Sequence, residues 1–282
     1  MTTTPPCTTS PPTTLARTRV RHDFHARTAS VTDVLDLGPR LRRVTFRLED
    51  GGAPVPFIPM AVGGHVKVAF PHPQTGDLHL PTVVDGRPRW AQGAPRPVLR
   101  DYTVRAVPDD RHVVIEFLRH GSGVASSWAS DVSTGDTVGL FGPRGSVIEP
   151  ADATRYLVLA DESALPAVQR WLAEAPDTAH LEVAVHLATA DGVIDLPAHP
   201  GATITWLTGD DDTLATHLRT LTPAPGDYLW VAGEAGAMVL VRQAAKDLGL
   251  GTADGIRASA VHIDGYWRRG VAGRDHHAPL DE

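Results

Sequence analysis

Hydrophobic and polar side chains alternate along much of the first half of the chain. In residues 41–48 the apolar positions Val44, Phe46 and Leu48 fall two apart, and residues 65–70 repeat the pattern. Side chains of a strand point to opposite faces in turn, so this period predicts strands with one buried face. Further strands are predicted at 99–107, 111–119 and 137–141.

Proline and glycine interrupt the chain between these strands. They are dense over 51–64 and again over 71–97, which disfavours long helices there. One helical turn is predicted near 126–129, and Gly135-Asp136 is typical of a hairpin turn. A series of short strands separated by turns indicates a closed antiparallel β-barrel.

Near residue 149 the pattern changes to alternating strands and helices. Residues 156–160 form an unbroken apolar run, as in a strand buried on both faces, and a helix with acidic capping residues follows over 161–172. Strands at 181–187, 203–207 and 228–232 and helices at 214–221 and 236–248 continue the alternation. This pattern predicts a parallel α/β sheet, whose ligands bind at the carboxyl ends of strands, here after Ala160 and Ala232.

Length and composition bound the class of protein. A chain of 282 residues with 42% hydrophobic residues can bury a large core, and its length favours two domains. No run of about 18 apolar residues predicts a membrane span. The Thr- and Pro-rich stretch 1–14 does not resemble a secretory signal and predicts a disordered tail. Its Cys7 is the single cysteine, which excludes an intrachain disulfide, so we expect a cytoplasmic protein.

Charge and histidine content exclude two further classes. A formal net charge of −7 argues against a general nucleic-acid-binding protein, whose affinity depends on Lys and Arg. The 14 histidines include no His-Glu-x-x-His arrangement, and His276 and His277 lie in a polar C-terminal stretch typical of exposed surface. We therefore expect no protein metal site, and we expect a monomer.

The segment 100–105 carries the first candidate chemistry. It combines Arg100, Tyr102, Thr103 and Arg105 on one predicted strand. An aromatic ring can lie against an isoalloxazine ring, and an arginine fork can bind a pyrophosphate. The combination indicates a flavin dinucleotide.

A second signal follows at 119–129, where a predicted strand runs through glycines into a helix. Unpaired backbone N–H groups at a helix start form an anion site, which suits the same pyrophosphate. The turns after Ala160 and Ala232 carry no Gly-x-Gly-x-x-Gly fingerprint, so the sequence pattern alone does not predict a dinucleotide in the second half.

Several ordered motifs together resemble the siderophore-interacting proteins, a family of FAD-dependent ferric-siderophore reductases within the ferredoxin-reductase-like group. The resemblance covers roughly residues 19–270. The motifs are Arg100-x-Tyr102-Thr103-x-Arg105, His120-Gly121 through Trp128-Ala129, Gly142-Pro143-Arg144-Gly145, Asp161 through Ala167, Trp230 through Glu234 and Gly265 through Gly270.

The resemblance implies two domains: a Greek-key antiparallel β-barrel that binds FAD over 19–148, and an α/β parallel-sheet domain that binds the nicotinamide nucleotide over 149–270. Tails are expected over 1–18 and 271–282. No side chain is expected to act as a general acid or base. The implied cofactor-binding residues are Arg100, Tyr102, Thr103, Val104, Arg105, His120, Gly121, Gly123, Val124, Ala125, Ser126, Trp128, Asp161, Glu162, Ser163, Ala164, Gly233, Glu234 and Trp267.

The implied reaction passes electrons from NADPH or NADH through FAD to a ferric siderophore, releasing Fe(II), which hard oxygen donors hold less tightly. Catecholate siderophores are anionic, so Lys67, Arg144 and Arg268 are predicted to bind the substrate. The chain departs from the family pattern at Val124, where the family has proline, and at 207–210, where it often has an arginine. Two alternatives stay open: a flavoprotein with another acceptor or donor, such as a ferric chelate, a quinone or ferredoxin, and a non-enzymatic siderophore-binding protein.

Overall fold

The computed structural model describes residues 15–49, 53–121, 123–251, 260–275 and 278–281. Cys7 and most of the predicted N-terminal tail lie outside the described residues, as do His276 and His277. Within the last residues of that predicted tail, Leu15 packs into the core and Thr18 begins a strand.

The first part of the chain is almost entirely β-structure. Its strands are β1 Thr18–Arg21, β2 Ala26–Asp36, β3 Leu41–Leu48, β4 His65–Phe70, β5 Thr82–Val84, β6 Arg87–Arg89, β7 Val98–Asp109, β8 His112–Leu118, β9 Thr137–Phe141 and β10 Gly145–Ile148. Helix α1 Val124–Asp131 lies between β8 and β9.

Six strands of the described chain close into a barrel in the order β2-β3-β8-β7-β4-β9, and all pairs are antiparallel. Strands distant in sequence are neighbours, as in a Greek key. Alternate residues point inward, so the predicted apolar faces of β3 and β4 join one buried core. These faces consist of Val44, Phe46 and Leu48 of β3 and of Val66, Val68 and Phe70 of β4. The predicted barrel is confirmed.

The second part alternates strands and helices. Its elements are β11 Arg155–Asp161, a 3-10 turn Glu162–Ala164, α2 Leu165–Glu174, β12 His180–Leu187, a second 3-10 turn Ala190–Gly192, β13 Ala202–Thr208, α3 Thr213–Thr220, β14 Asp227–Glu234, α4 Ala235–Asp247 and β15 Val261–Trp267.

These five strands form a parallel sheet in the order β13-β12-β11-β14-β15. Helix α2 packs on one face, and α3 and α4 pack on the other, so β11 and β14 are buried on both sides. The strand order reverses direction between β11 and β14. Such a switch point opens a crevice at the carboxyl ends of the two strands, which are the positions predicted to bind a ligand.

Strands β2 and β15 were not predicted from the sequence, and neither were the short strands β1, β5, β6 and β10. In β2 small and polar residues alternate without a clear apolar period, and Ala29 and Val31 are its buried apolar positions. In β15 an aspartate and a glycine interrupt the apolar pattern. Strands β2 and β15 are fixed by pairing with neighbours rather than by their own composition.

No helix in the described part of the chain is long and apolar enough to cross a membrane.

Candidate cofactor site

Strand β7 carries the predicted flavin-binding residues in the middle of the barrel wall. Arg100 is partly buried, and its Nη1 donates to the carbonyl oxygen of Leu99 at 2.8 Å. Thr103 and Val104 are buried at 8% and 2% exposure. Arg100 thus stays partly exposed, whereas Thr103 and Val104 are buried.

The ring of Tyr102 belongs to an aromatic cluster. Its centroid lies 4.4 Å from that of Phe117 and 6.2 Å from that of Phe70. Trp128 of α1 contacts the same two rings, with centroids 5.3 Å from each. Burial raises the pKa of the Tyr102 hydroxyl, so this side chain stays neutral at physiological pH. The cluster thus fastens helix α1 to the strand that carries Arg100.

The start of helix α1 is open. Gly121 and Gly123 precede it with φ angles of 82° and 94°, a region that other residues rarely adopt. The N-cap residue, Gly123, has no side chain to cap the helix, and the hydroxyl of Ser126 accepts a hydrogen bond from the backbone N–H of His120 at 3.0 Å. A Cβ on Gly121 would meet no atom within 4 Å, so the described chain leaves space beside this glycine.

This arrangement fits the pyrophosphate of FAD. The helix start supplies N–H groups and a partial positive charge, and the glycines allow close approach of a ligand. The predicted backbone donors lie in the loop 121–126, and within it Ala125 and Ser126 are buried. Arg100 lies on the strand linked to α1 through the aromatic cluster and carries a guanidinium fork, a group suited to phosphate oxygens.

In the second domain, the carboxylate of Asp161 connects residues from three separate segments at the switch point. Oδ1 accepts hydrogen bonds from the backbone N–H and the hydroxyl of Ser163. Oδ2 accepts from the backbone N–H of Glu234 and from the indole N–H of Trp267, both at 2.8 Å. Burial raises the pKa of the Asp161 carboxyl, and the hydrogen bonds from Ser163 and Trp267 act in the opposite direction.

Gly233 is required by the same contact. A Cβ built on Gly233 would lie 2.7 Å from Cγ of Asp161, closer than two carbon atoms can approach. Four of the predicted nucleotide-binding residues, Ser163, Gly233, Glu234 and Trp267, therefore meet around one carboxylate. Trp267 keeps 39% of its surface exposed, which leaves an aromatic face beside the crevice.

The side chain of Glu234 serves helix α4. Its Oε2 accepts from the backbone N–H of Ala237 at 2.9 Å, and its Oε1 accepts from the backbone N–H of Arg269 at 3.0 Å. A carboxylate at this position stabilises the helix start and repels a second anion. The start of α4 is thus already occupied by the chain's own negative charge.

Glu162 points towards the barrel, where its Oε2 lies 3.0 Å from Nη2 of Arg40. Burial raises the pKa of the Glu162 carboxyl, and the charge of Arg40 opposes that shift. Ala164 is fully buried in the core next to it. These two predicted cofactor residues position the turn after β11 against the first domain.

Arg105 is placed at the interface between the two domains. Its Nε donates to Oε1 of Gln169 on α2 at 3.1 Å, and Nη2 of Arg43 donates to the same oxygen at 3.0 Å. The amide nitrogen of Gln169 donates to Glu116, which also pairs with Arg43 at 2.6 Å. Gln169 is 1% exposed and Glu116 is 2% exposed. This network ties the flavin strand to the helix that follows the Asp161 turn.

Sequence reasoning missed this network, together with Arg170, whose Nη2 donates to the carbonyl oxygen of Ile58 at 2.9 Å. The available signal was weak: a Gln-Arg pair in a helix that begins at Leu165 and whose other residues up to Ala173 are apolar. Polar residues in such a helix are most often solvent-exposed, and only packing against the barrel buries these two.

The three predicted substrate-binding residues lie in different surroundings. Nζ of Lys67 contacts both carboxylate oxygens of Asp101, at 2.9 and 2.7 Å. The guanidinium of Arg144 lies 4.6 Å from the ring centroid of Phe24. Arg268 follows β15, where its carbonyl accepts from the N–H of Val271 at 3.0 Å.

The chain beyond β15 returns to the flavin strand. Gly273 has φ 67°, and a Cβ there would lie 3.0 Å from Nη1 of Arg100. The next residue, Arg274, donates from its two terminal nitrogens to the carbonyl oxygens of Gly265, Asp275, Ala278 and Pro279. The described parts of the predicted C-terminal tail are therefore docked on the second domain and pass beside Arg100.

Comparison with known proteins agrees with this arrangement. Residues 30–147 match the model of a siderophore-interacting FAD-binding domain, and residues 153–270 match that of a siderophore-interacting protein. The predicted cofactor FAD is thereby confirmed for the barrel.

Individual relatives are similar over most of the chain. The NADPH-dependent ferric-chelate reductase of Escherichia coli is 33% identical over 222 residues, covering 77% of this chain and 85% of that protein. The ferric vibriobactin reductase ViuB of Vibrio cholerae is 31% identical over 235 residues, covering 78% and 83%. The crystal structure of a siderophore utilization protein from T. fusca superposes with a TM-score of 0.81 at 36% identity, covering 93% of this chain and 100% of that one. This chain belongs to the siderophore-interacting protein family.

Proposed function

We propose that the protein is a flavin-dependent ferric-siderophore reductase that takes electrons from NADH or NADPH. The observation that carries the proposal is the open start of α1, with Gly121 and Gly123 at positive φ, joined to Arg100 through an aromatic cluster. A site of this kind suits a dinucleotide pyrophosphate and leaves the rest of the cofactor free to lie between the two domains.

Bound FAD supplies the redox chemistry, because a flavin accepts two electrons together and releases them one at a time. The protein's own residues hold and orient the cofactor and the nucleotide. Arg100 and the N–H groups of 124–126 bind the phosphates, and Asp161 fixes the turn on which the nucleotide rests. The hydrogen bond from Arg105 to the buried Gln169 holds the two halves of the site together.

The acceptor is proposed from the relatives. Their names are ferric-chelate reductase and ferric vibriobactin reductase, and both relatives are covered over more than four fifths of their length. Reduction releases the metal because Fe(II) is held far more weakly than Fe(III) by hard oxygen donors. We therefore propose a ferric siderophore as the substrate, and a cytoplasmic monomer as the acting form.

The identity of the donor is also part of the proposal. Asp210, Asp211 and Asp212 follow β13, and Asp211 pairs with Arg269 at 2.9 Å. The backbone N–H of Arg269 in turn binds Glu234, so these carboxylates lie close to the Asp161 turn. Carboxylates favour a ribose hydroxyl over a phosphate, so we expect NADH to be used at least as well as NADPH.

The test uses the purified flavoprotein under anaerobic conditions. Mixing with NADH or NADPH is expected to bleach the flavin absorbance, and adding a ferric siderophore is expected to restore it while Fe(II) is captured by a coloured chelator. A protein that purifies without flavin, or whose flavin neither donor reduces, would contradict the proposal. Turnover with a quinone or ferredoxin but not with ferric complexes would favour the alternative acceptors.

A further inference from the structure

The chain beyond β15 runs from the second domain to the arginine that is proposed to bind FAD. We call its described residues, 271–275 and 278–281, the strap. One guanidinium fastens it, because the terminal nitrogens of Arg274 donate to four backbone carbonyl oxygens. These belong to Gly265 at 2.8 Å, Asp275 at 3.2 Å, Ala278 at 3.0 Å and Pro279 at 2.8 Å. The last three lie in the strap itself, so Arg274 both folds the strap and ties it to β15.

The end of the strap is anchored on the same domain. A Cβ on Gly265 would lie 2.9 Å from Cδ2 of Leu280, so the Leu280 side chain packs directly on β15. Leu280 also contacts the apolar core that α4 covers. Nη2 of Arg242 on α4 donates to both carboxylate oxygens of Asp281 at 2.7 Å. Side chains therefore hold the strap on the second domain, in addition to its connection to β15.

Gly273 places the strap against Arg100 of β7. Its φ of 67° lies in the left-handed region, and a Cβ there would lie 3.0 Å from Nη1 and 3.4 Å from Cζ of Arg100. The same Nη1 donates to the carbonyl oxygen of Leu99 at 2.8 Å. No carboxylate of the described residues pairs with this guanidinium, so its other N–H donors remain for a ligand.

A side chain at position 273 would move the guanidinium of Arg100. Arginine is long and flexible, so its charged end can rotate away from a new Cβ at little cost to the fold. A fork that has moved no longer presents its N–H donors in the original direction. The glycine therefore preserves the orientation of the fork.

We propose that the strap belongs to the FAD site, with Gly273 and Arg274 as positioning residues that orient the Arg100 guanidinium for the phosphates. This proposal rests on the proposed role of Arg100. A fork that is oriented before the ligand arrives loses less side-chain freedom on binding, which strengthens binding. The strap begins after residue 270, where the matched family residues end, so the resemblance does not supply this role. Because the strap is anchored on the sheet domain and Arg100 lies on the barrel, FAD affinity depends on both domains.

The first test compares Gly273 with the glycine just before the strap. Gly273→Ala should weaken FAD binding about fivefold, because the new Cβ displaces the fork without removing it. Gly270→Ala is the matched control: Gly270 has φ 79°, so the backbone strain is similar, but a Cβ there would meet no atom within 4 Å. It should change affinity by less than about twofold. Dissociation constants are measured on the full chain by diluting the holoprotein and recording the fluorescence of released flavin.

A double-mutant cycle tests whether the strap acts through Arg100. Arg274→Gln loses most of the carbonyl contacts of the guanidinium and should also weaken FAD about fivefold. Arg219→Gln, at an exposed arginine of α3, should leave affinity within about twofold of the wild type. In an Arg100→Ala background, Gly273→Ala and Arg274→Gln should each change affinity by less than about twofold, because the fork that they position is gone.

Three outcomes would overturn the proposal. The two glycine variants could act equally, the effects of Gly273→Ala and Arg274→Gln could persist in full without Arg100, or neither variant could weaken FAD although Arg100→Ala does. None of these titrations uses an electron donor or acceptor. A wild type that follows the expected pattern but reduces no ferric complex would therefore overturn the proposed function and leave the role of the strap in place.

Discussion

The barrel side and the sheet side of the site treat their polar groups in opposite ways. On the barrel, the N-cap of α1 is Gly123, which has no side chain to cap the helix, and a Cβ on Gly121 would meet no atom within 4 Å. On the sheet, Glu234 caps α4, and Asp161 accepts hydrogen bonds from three residues of its own domain. The helix start on the barrel thus leaves backbone N–H donors for an anion. On the sheet, the carboxylates of Asp161 and Glu234 are already used in hydrogen bonds that shape a turn.

The difference teaches where each part of a ligand can bind. A phosphate binds most favourably at a helix start whose backbone N–H groups have no partner within the chain. At the sheet edge the same phosphate would meet the negative charge of Glu234, so we expect binding there to depend on the shape of the crevice and on the exposed ring of Trp267. We therefore expect the barrel to contribute mainly electrostatic attraction to ligand binding and the sheet to contribute mainly the shape of the crevice.

The largest expected effect comes from Gly123→Val, which places a side chain at the start of helix α1. A β-branched residue at φ 94° is strained and fills the space in front of several N–H donors, so FAD affinity should fall by roughly a hundredfold or more. Flavin content after purification and titration of the apoprotein measure this. Gly135→Val is the control, because Gly135 has φ 96° in a turn between α1 and β9. Equal loss of FAD in both variants would show general strain and contradict the cradle.

Removing the guanidinium of Arg100 on β7 should have the next largest effect. A hydrogen bond from a charged group contributes about 1.5–3 kcal/mol, so Arg100→Ala should weaken FAD by about tenfold to a hundredfold. Arg19→Ala, on the exposed strand β1, should leave flavin affinity unchanged. Full flavin content and wild-type affinity in Arg100→Ala would remove Arg100 from the site.

A third prediction tests how strongly the sheet side depends on its own ion pairs. His262 lies 2.7 Å from Glu149 and 2.9 Å from Asp264. Burial alone would lower the pKa of His262, but the hydrogen bonds to Asp264 and Glu149 raise it to about 9.

Because the folded pKa is above that of the unfolded chain, this histidine stabilises the fold fully below about pH 6.5, and the contribution is lost as pH rises through about 9. Urea midpoints measured across this range should fall with pH, and His262→Gln should flatten the decline. Replacing the exposed His79 by Gln should leave the slope unchanged. An identical slope in wild type and His262→Gln would contradict the assignment.

The smallest expected effect is that of Glu234→Ala. Loss of a side-chain helix cap costs about 0.5–2 kcal/mol, so the melting temperature should fall by several degrees while FAD remains bound. Glu174→Ala on α2 would not be an equivalent control, since that residue contacts the barrel at Met60. Asp247→Ala, at the end of α4, is the matched change and should cost less. A loss of FAD in Glu234→Ala would contradict the view that Glu234 stabilises helix α4 without taking part in FAD binding.

Much of the fold could be predicted from the sequence. The period-two pattern placed β3 and β4 at the residues where they occur, and the unbroken apolar run placed β11. These patterns are local, because a strand's buried face repeats every second residue and a buried strand is apolar throughout. The family resemblance added the order of the motifs, and the family and FAD were confirmed by comparison.

What the sequence determined by itself was therefore the class of each element and the identity of the motifs. Only the tertiary structure decided which polar side chains are already used within the chain. The partners of Asp161 include Glu234 and Trp267, 73 and 106 residues away, and the partner of Arg105 is 64 residues away on another domain. Hydrogen-bond partners at such separations leave no periodic trace in sequence, because a carboxylate or guanidinium at a given position looks the same whether it faces a ligand or the chain itself.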